Sequence, residues 1–357
     1  MSSAFVRATA LASALGPGLD AASGRLFGQP VPPQTLIGWP YRAIPVEDTD
    51  WRRRAQTIAL AVAADLRGRA GLPAWRWAGL PCLLGSSSFS IGASEGEDPA
   101  LERPSDFCRA LAQCFGAGGP VIAMSTACTS GLSALHAALD MVREGSFSDV
   151  LVLGVEFSNR LTVAGFAGLE LLSRTCARPC DRERDGMVLG EALGAVLVSS
   201  APAEWRVSAL AAGLDGASVT GPAPGGEAMA ATMRSAMSQA RWRPGTVDLI
   251  KLQAAGSPLS DLAEARAVRA LFKPAPRLVS LKGAIGHTLG ASGPAELALL
   301  LGALARGRVP PTWGYEVHDE EIGLAPSGGA AGELRRVLFN VSGFGGSVMT
   351  LALERSG

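Results

Sequence analysis

Short runs of Val, Ile and Leu alternate along this chain with longer Ala- and Leu-rich stretches whose apolar positions recur every three or four residues. Brief apolar runs bounded by Gly, Pro or Asp suit strands buried on both faces, and the longer periodic stretches suit helices. The pattern predicts strands over 81–84, 121–124, 150–154, 195–199, 247–252, 277–281, 337–341 and 348–353, and helices over 55–70, 105–115, 130–144, 227–240, 262–272 and 294–306. Such alternation belongs to layered α/β structure.

The pattern also repeats. Residues 130–145, SGLSALHAALDMVREG, align without a gap with residues 292–307, SGPAELALLLGALARG, and each segment follows a strand and a small-residue turn. Each half then ends in a Gly-rich turn and a last strand, GEALGAVLVSS and GFGGSVMTLALE. At 357 residues the chain exceeds the roughly 250–300 at which single cores stop growing. A duplicated α/β domain is expected, with halves 1–200 and 201–357 meeting at the Pro-containing stretch 200–205.

Composition narrows the function. Hydrophobic residues make up 48% and charged residues 18%, which points to a large buried interior. The 32 basic and 32 acidic side chains cancel, so charge gives no support to a nucleic-acid partner or a membrane surface. Six cysteines at irregular spacings suit a reducing cytoplasm better than a disulfide framework. The N-terminus, MSSAFVRATALASALGPG, has an early Arg and an apolar run, as leaders do, but Thr and Ser break that run. No stretch approaches the ~18 apolar residues of a membrane span, and a soluble cytoplasmic protein is expected.

Candidate chemistry lies in the turns. Cys128, in STACTSG, stands at the start of the helix predicted from 130, where free N–H groups and positive potential lower a thiol pKa and favour the thiolate. Lys282 and His287 occupy SLKGAIGHTLGASG, the turn that the repeat equates with that of Cys128. NVSGFGGS offers backbone N–H groups beside Phe344 that could meet an oxyanion. Cys176 and Cys180 have no second ligand pair at metal-site spacing, so no metal is expected. His136, within a helix, and His318, in a loop, read as structural or surface groups.

Taken in order, STACTSG around Cys128, RPCDRERDGMVLGEALG at 178–194, GSPLSD at 256–261, Lys282 with GHTLGASG at 286–293, and NVSGFGGS at 340–347 resemble the β-ketoacyl synthase family of the thiolase-like superfamily. The resemblance runs over nearly the whole chain. It implies two similar α/β halves in five layers, αβαβα, usually assembled as a dimer. It implies an acyl group taken from the phosphopantetheine arm of an acyl carrier protein onto Cys128, then condensed with a decarboxylating malonyl unit. No other cofactor is implied. Cys128 and Phe344 N–H groups would form the oxyanion hole, with Phe344 as a gate. His287 would polarise the malonyl thioester, and Lys282 would set its orientation and charge through hydrogen bonds. Asp181, Arg182, Asp185 and Glu191 match a charged stretch, read here as an ion-paired network holding the halves together. Cys180 stands where the family has an aromatic residue.

One motif departs. In KLQAAGSPLSD, residues 251–261, the family's first histidine is replaced by Gln253, followed by Ala254 and Ala255 in place of Gly and Thr, while Gly256, Pro258 and Asp261 agree. Without a large shift, no group in 249–261 titrates near neutrality, and an amide cannot shuttle a proton. Loading of Cys128 is therefore expected to survive while condensation is impaired. The alternative is a non-catalytic subunit, like a chain-length factor, paired with an active ketosynthase. Thiolases use an amide here but need a second cysteine in the last Gly-rich loop, where this chain has Phe344. The compact segment 92–106 is where substrate-lining or dimer-contact structure would be reduced.

Overall fold

A computed structural model describes residues 3–95 and 103–356. Ten strands make one continuous sheet: β1 Ala4–Ser13, β2 Cys82–Gly85, β3 Val121–Met124, β4 Asp149–Glu156, β5 Ala192–Ser199, β6 Trp205–Leu214, β7 Leu249–Lys251, β8 Arg277–Val279, β9 Arg336–Ser342 and β10 Ser347–Arg355. The order across the sheet is β8-β7-β9-β10-β6-β1-β5-β4-β2-β3, with Gly16–Pro17 folding back on β1. Each set of five follows the same plan. Its three outer strands are mutually parallel and the two nearest the centre antiparallel. The sets join where Ala4–Val6 pairs with Trp205–Val207.

Strand residues alternate between two cores, which gives the layers. Val150 and Val152 of β4 face a central core, while Leu151, Leu153 and Val155 face an outer one covered by α1 Trp51–Ala70 and α2 Pro104–Cys114. In the other set Leu249 faces the central core and Ile250 an outer one beneath α4 Glu227–Ala240 and α5 Pro258–Leu271. Between the two sets lie α3 Ser130–Arg143 and α6 Ser292–Leu304. The result is the expected five layers, with α6 buried on almost every side. At Gly194 of β5 a Cβ would lie 2.3 Å from the Ala295 nitrogen, so only glycine lets α6 settle so close to the sheet.

Of these ten strands, two escaped the hydrophobic pattern, β1 and β6. The first is the leader-like N-terminal run. Both are rich in Ala and interrupted by polar residues, and β1 packs between α1 and α6, where small side chains let helices approach both faces. Among the described residues no helix is long and apolar enough to cross a membrane. Within the segment 92–106, residues 96–102 lie outside the described residues.

Candidate active site

Between β3 and α3 the chain makes a tight turn that presents Cys128. Ala127 adopts φ 51°, a left-handed conformation costly for a residue with a Cβ. Ser130 Oγ secures the turn by donating to Ala127 O at 2.5 Å and accepting from Thr126 N at 2.9 Å. The glycine-rich turn between β9 and β10 lies directly against it, for a Cβ at Gly343 would be 2.9 Å from the Cys128 nitrogen. The N–H groups of Phe344 and of Cys128 itself donate toward the Cys128 sulfur. The Phe344 ring, half-buried, stacks on Phe166 with centroids 5.2 Å apart.

His287 reaches the same sulfur from the other half of the sheet. Its N–H donates to Val188 O at 2.8 Å and its carbonyl accepts from Gly190 N at 3.1 Å, so the main chain is fixed on both sides. Its Nε2 lies 3.1 Å from Cys128 Sγ and its Nδ1 3.3 Å from Ser292 Oγ. Burial, then the charges of Lys282 and Lys251, hold the imidazole well below its usual range. Burial also pushes the Cys128 thiol up to about 12, outweighing Lys282 and the two N–H donors. The lowered thiol expected from the helix start is thus overturned: desolvation is the larger effect in a closed site. Thiol and imidazole both favour their neutral forms, with one ring nitrogen against Cys128 Sγ and the other against Ser292 Oγ.

Behind this pair stands an ion cluster that differs from expectation. Lys282 makes no hydrogen bond to His287. Its Nζ pairs with Glu296 Oε1, while Lys251 Nζ lies 2.7 Å from Oε2 of the same carboxylate, and all three side chains are fully buried. Lys282 therefore acts on His287 through charge, not through a contact. Burial next to the two ammonium groups leaves Glu296 below the usual carboxylate range, because their attraction exceeds the desolvation cost.

Gln253 follows β7 in a loop whose backbone is clamped by two carboxylates from α5. Gln253 N and Ala254 N donate to Glu264 at 2.9 and 2.8 Å, and Ala255 N and Gly256 N donate to Asp261 at 3.0 Å each. The side chain of Gln253 enters a cavity of about 70 Å³ shared with Cys128, His287, Phe344 and the apolar Met229 and Val348. Its Oε1 is buried with no hydrogen-bond partner among the described residues.

Elsewhere the expected ion-paired network is only partly ionic. Asp181 accepts from the Glu316 and Val317 N–H groups, both at 2.6 Å, and Arg184 pairs with Asp319. Glu191 pairs with Arg54, within the first half, and Arg182 and Asp185 are exposed. Peptide N–H groups serve Asp181 better than side-chain cations, since they are already fixed in place. Cys180 is buried, with its N–H donated to Asp261 at 3.0 Å; Cys176 is partly exposed. His136 is partly exposed on α3, and His318 is exposed with Nδ1 3.1 Å from the Tyr315 hydroxyl.

Three supporting residues went unnoticed in the sequence. Glu296 is the one charged residue in α6, and a lone charge in so apolar a helix signals a buried partner. Lys251 ends a buried strand, a signal of the same kind. Glu156 accepts from Ser87 N and Gly290 N, both at 3.0 Å, and so ties a first-half turn to the His287 loop.

The chain is similar to several known proteins. Residues 94–203 match the family model "Beta-ketoacyl synthase, N-terminal domain" and residues 206–316 the model "Beta-ketoacyl synthase, C-terminal domain". The ketoacyl synthase alpha subunit of the tetracenomycin polyketide synthase of Streptomyces glaucescens is 36% identical over 276 residues, 71% of this chain and 64% of that protein. A putative polyketide β-ketoacyl synthase 1 of Streptomyces halstedii is 34% identical over 287 residues, 73% of this chain and 67% of that one. The chain thus spans about two thirds of the length of these relatives. A ketosynthase solved in complex with its chain length factor, from Xenorhabdus doucetiae, superposes with a TM-score of 0.85 at 21% identity, covering 99% of this chain and 98% of that one. At that identity the likeness concerns the fold.

Proposed function

The chain belongs to the β-ketoacyl synthase family, with its thiolase-like fold, and we propose that it is a ketosynthase-like acyltransferase of fatty-acid or polyketide synthesis. It takes an acyl group from the phosphopantetheine arm of an acyl carrier protein onto Cys128, and Gln253 impairs or alters the decarboxylative condensation that would follow. The 3.1 Å contact between His287 and Cys128, with two N–H donors at the sulfur, carries this reading.

In loading, Cys128 Sγ attacks the thioester carbonyl carbon and its proton passes to His287 Nε2. The carbonyl oxygen, now negative, accepts from the Cys128 and Phe344 N–H groups. As the carbonyl re-forms, the bond to the arm's sulfur breaks and that thiolate takes the proton from His287. Condensation asks more: a malonyl unit must lose carbon dioxide, and its enolate must be stabilised while it attacks the acyl carbon. Gln253 can donate an N–H there but can neither give nor take a proton, and a positioned acid–base group is worth ~10²–10⁴-fold. Acyl carrier protein charged with acyl groups of several lengths tests loading. An acyl mass increment on Cys128, absent from Cys128→Ala, supports it, and no increment at any length rules it out.

A second reading, a chain-length-factor-like subunit, draws on Gln253 and on the sheet edge. β3 ends the sheet with one side of its ladder unpaired by any described residue, and Ile122 and Ala123 are exposed there. An apolar edge of this kind is a pairing surface for a second chain, in a homodimer or in a heterodimer with another ketosynthase. Native mass spectrometry after co-expression separates the two. A cytoplasmic setting suits six cysteines that form no disulfide among the described residues.

A further inference from the structure

Arginine supplies 29 of the 32 basic residues and lysine only three, at 251, 273 and 282. Two of those three are fully buried on one carboxylate, Glu296. A guanidinium does not lose its proton inside a protein, whereas an ammonium can. Lysine in these two places, in a chain that otherwise chooses arginine, suits a site where a buried cation discharges. Two ammonium groups against one carboxylate make a surplus of positive charge, and desolvation brings Lys251 down to about 8 with Lys282 adding to the fall. The stretch 249–261 therefore holds, at the end of β7 and two residues before Gln253, a buried ammonium whose hold on its proton is weakened by burial.

The surroundings of Lys251 are closed. Glu296 faces it from α6, Lys282 from the short helix Lys282–Ile285, Glu264 from α5, and the Phe339 ring of β9 lies 4.0 Å from its Nζ. Its charge is felt by His287, together with that of Lys282.

We propose that Lys251 is a positioning residue for the chemistry at Cys128: sharing Glu296 with Lys282, it places a dischargeable positive charge within reach of His287, and its discharge frees that ring to take the Cys128 proton. The proposal rests on Cys128 and His287 being the reactive pair, and not on which acyl group is loaded. It makes the pair more reactive as pH rises through the range in which Lys251 gives up its proton. This differs from a purely structural ion cluster, which would leave the pair's pH response unchanged.

Histidine-labelled protein tests it by NMR, since the chain has three histidines and His287→Asn identifies the ring of interest. In wild type the His287 ring resonances are expected to inflect near pH 8, and Lys251→Met and Lys251→Gln, two replacements of different polarity, are expected to abolish the inflection. At pH 7 the same variants are expected to alkylate Cys128 about tenfold faster, the worth of one pKa unit at His287. A wild-type ring that stays flat between about pH 7 and 9.5 overturns the proposal whether or not the variants fold. So does an inflection that survives both substitutions. No acyl donor enters these measurements, so a failure of loading and a failure of this proposal are read separately.

Discussion

His287 and Cys128 stand 159 residues apart in the chain and 3.1 Å apart in space, and both are uncharged at rest. Two turns, one from each half of the duplicated sheet, hold them there. The neutrality of the pair follows from burial, and it sets the terms on which the cysteine can react.

Alkylation of Cys128 is expected to be slow at neutral pH and to climb with it. With the thiol pushed up to about 12, the protonated form dominates at every lower pH. Each unit of rise toward that value then gains about tenfold in thiolate. Mass-mapped iodoacetamide rates on the Cys128 peptide between about pH 7 and 10 measure the slope, with any step near pH 8 belonging to Lys251. A fast rate that is flat from pH 7 upward would mean a thiolate already present.

Gln253→His is expected to raise carbon dioxide release from a malonyl carrier protein by about 10²-fold or more while leaving Cys128 loading unchanged. The main chain of the loop is fixed by Glu264 and Asp261, so an imidazole would start from the same origin as the amide. Turnover assays on the two proteins side by side decide it.

Glu296→Gln leaves two buried ammonium groups sharing a neutral amide. Removing one partner of a buried ion cluster typically costs ~3–5 kcal/mol, and urea unfolding at pH 7 should show a loss of that size. The loss is expected to shrink as pH rises toward about 8: Glu296 holds the proton on Lys251 in the wild-type fold, so without it the buried ammonium discharges at lower pH, and above about 8 Lys251 is neutral in both folded proteins and no longer separates them.

Gly343→Ala places a methyl group 2.9 Å from the Cys128 nitrogen, and one of the two turns must move. Loading is expected to fall by about 10²-fold through the lost alignment of the Phe344 N–H with the sulfur. Thermal unfolding should change far less, because the turn is half exposed.

Much of the scaffold was legible in the chain. Helix α4 and strand β3 have the bounds that the pattern predicts, since Gly226 stands directly before the helix and Gly119-Pro120 directly before the strand. Strands β1 and β6 were not legible, because Ala-rich sequence reads as helix or linker until the helices packed on it are known. In the site, the residues that meet, Cys128, His287, Gln253 and Phe344, stand in turns whose small neighbours mark them. Their protonation was not legible, because a thiol's charge state depends on how much of the fold closes over it. The partner of Lys282 was equally hidden: sequence gives its neighbours along the chain, while Glu296 comes to it from the next helix.

The clamp on the loop at 253 has an evolutionary consequence. Because Glu264 and Asp261 grip peptide groups and not the side chain, the main chain has no stake in which residue occupies that position. Codons for glutamine and histidine differ by one base. The two residues can therefore be exchanged in a single mutational step without disturbing the socket, so the present amide is a reversible setting of the scaffold.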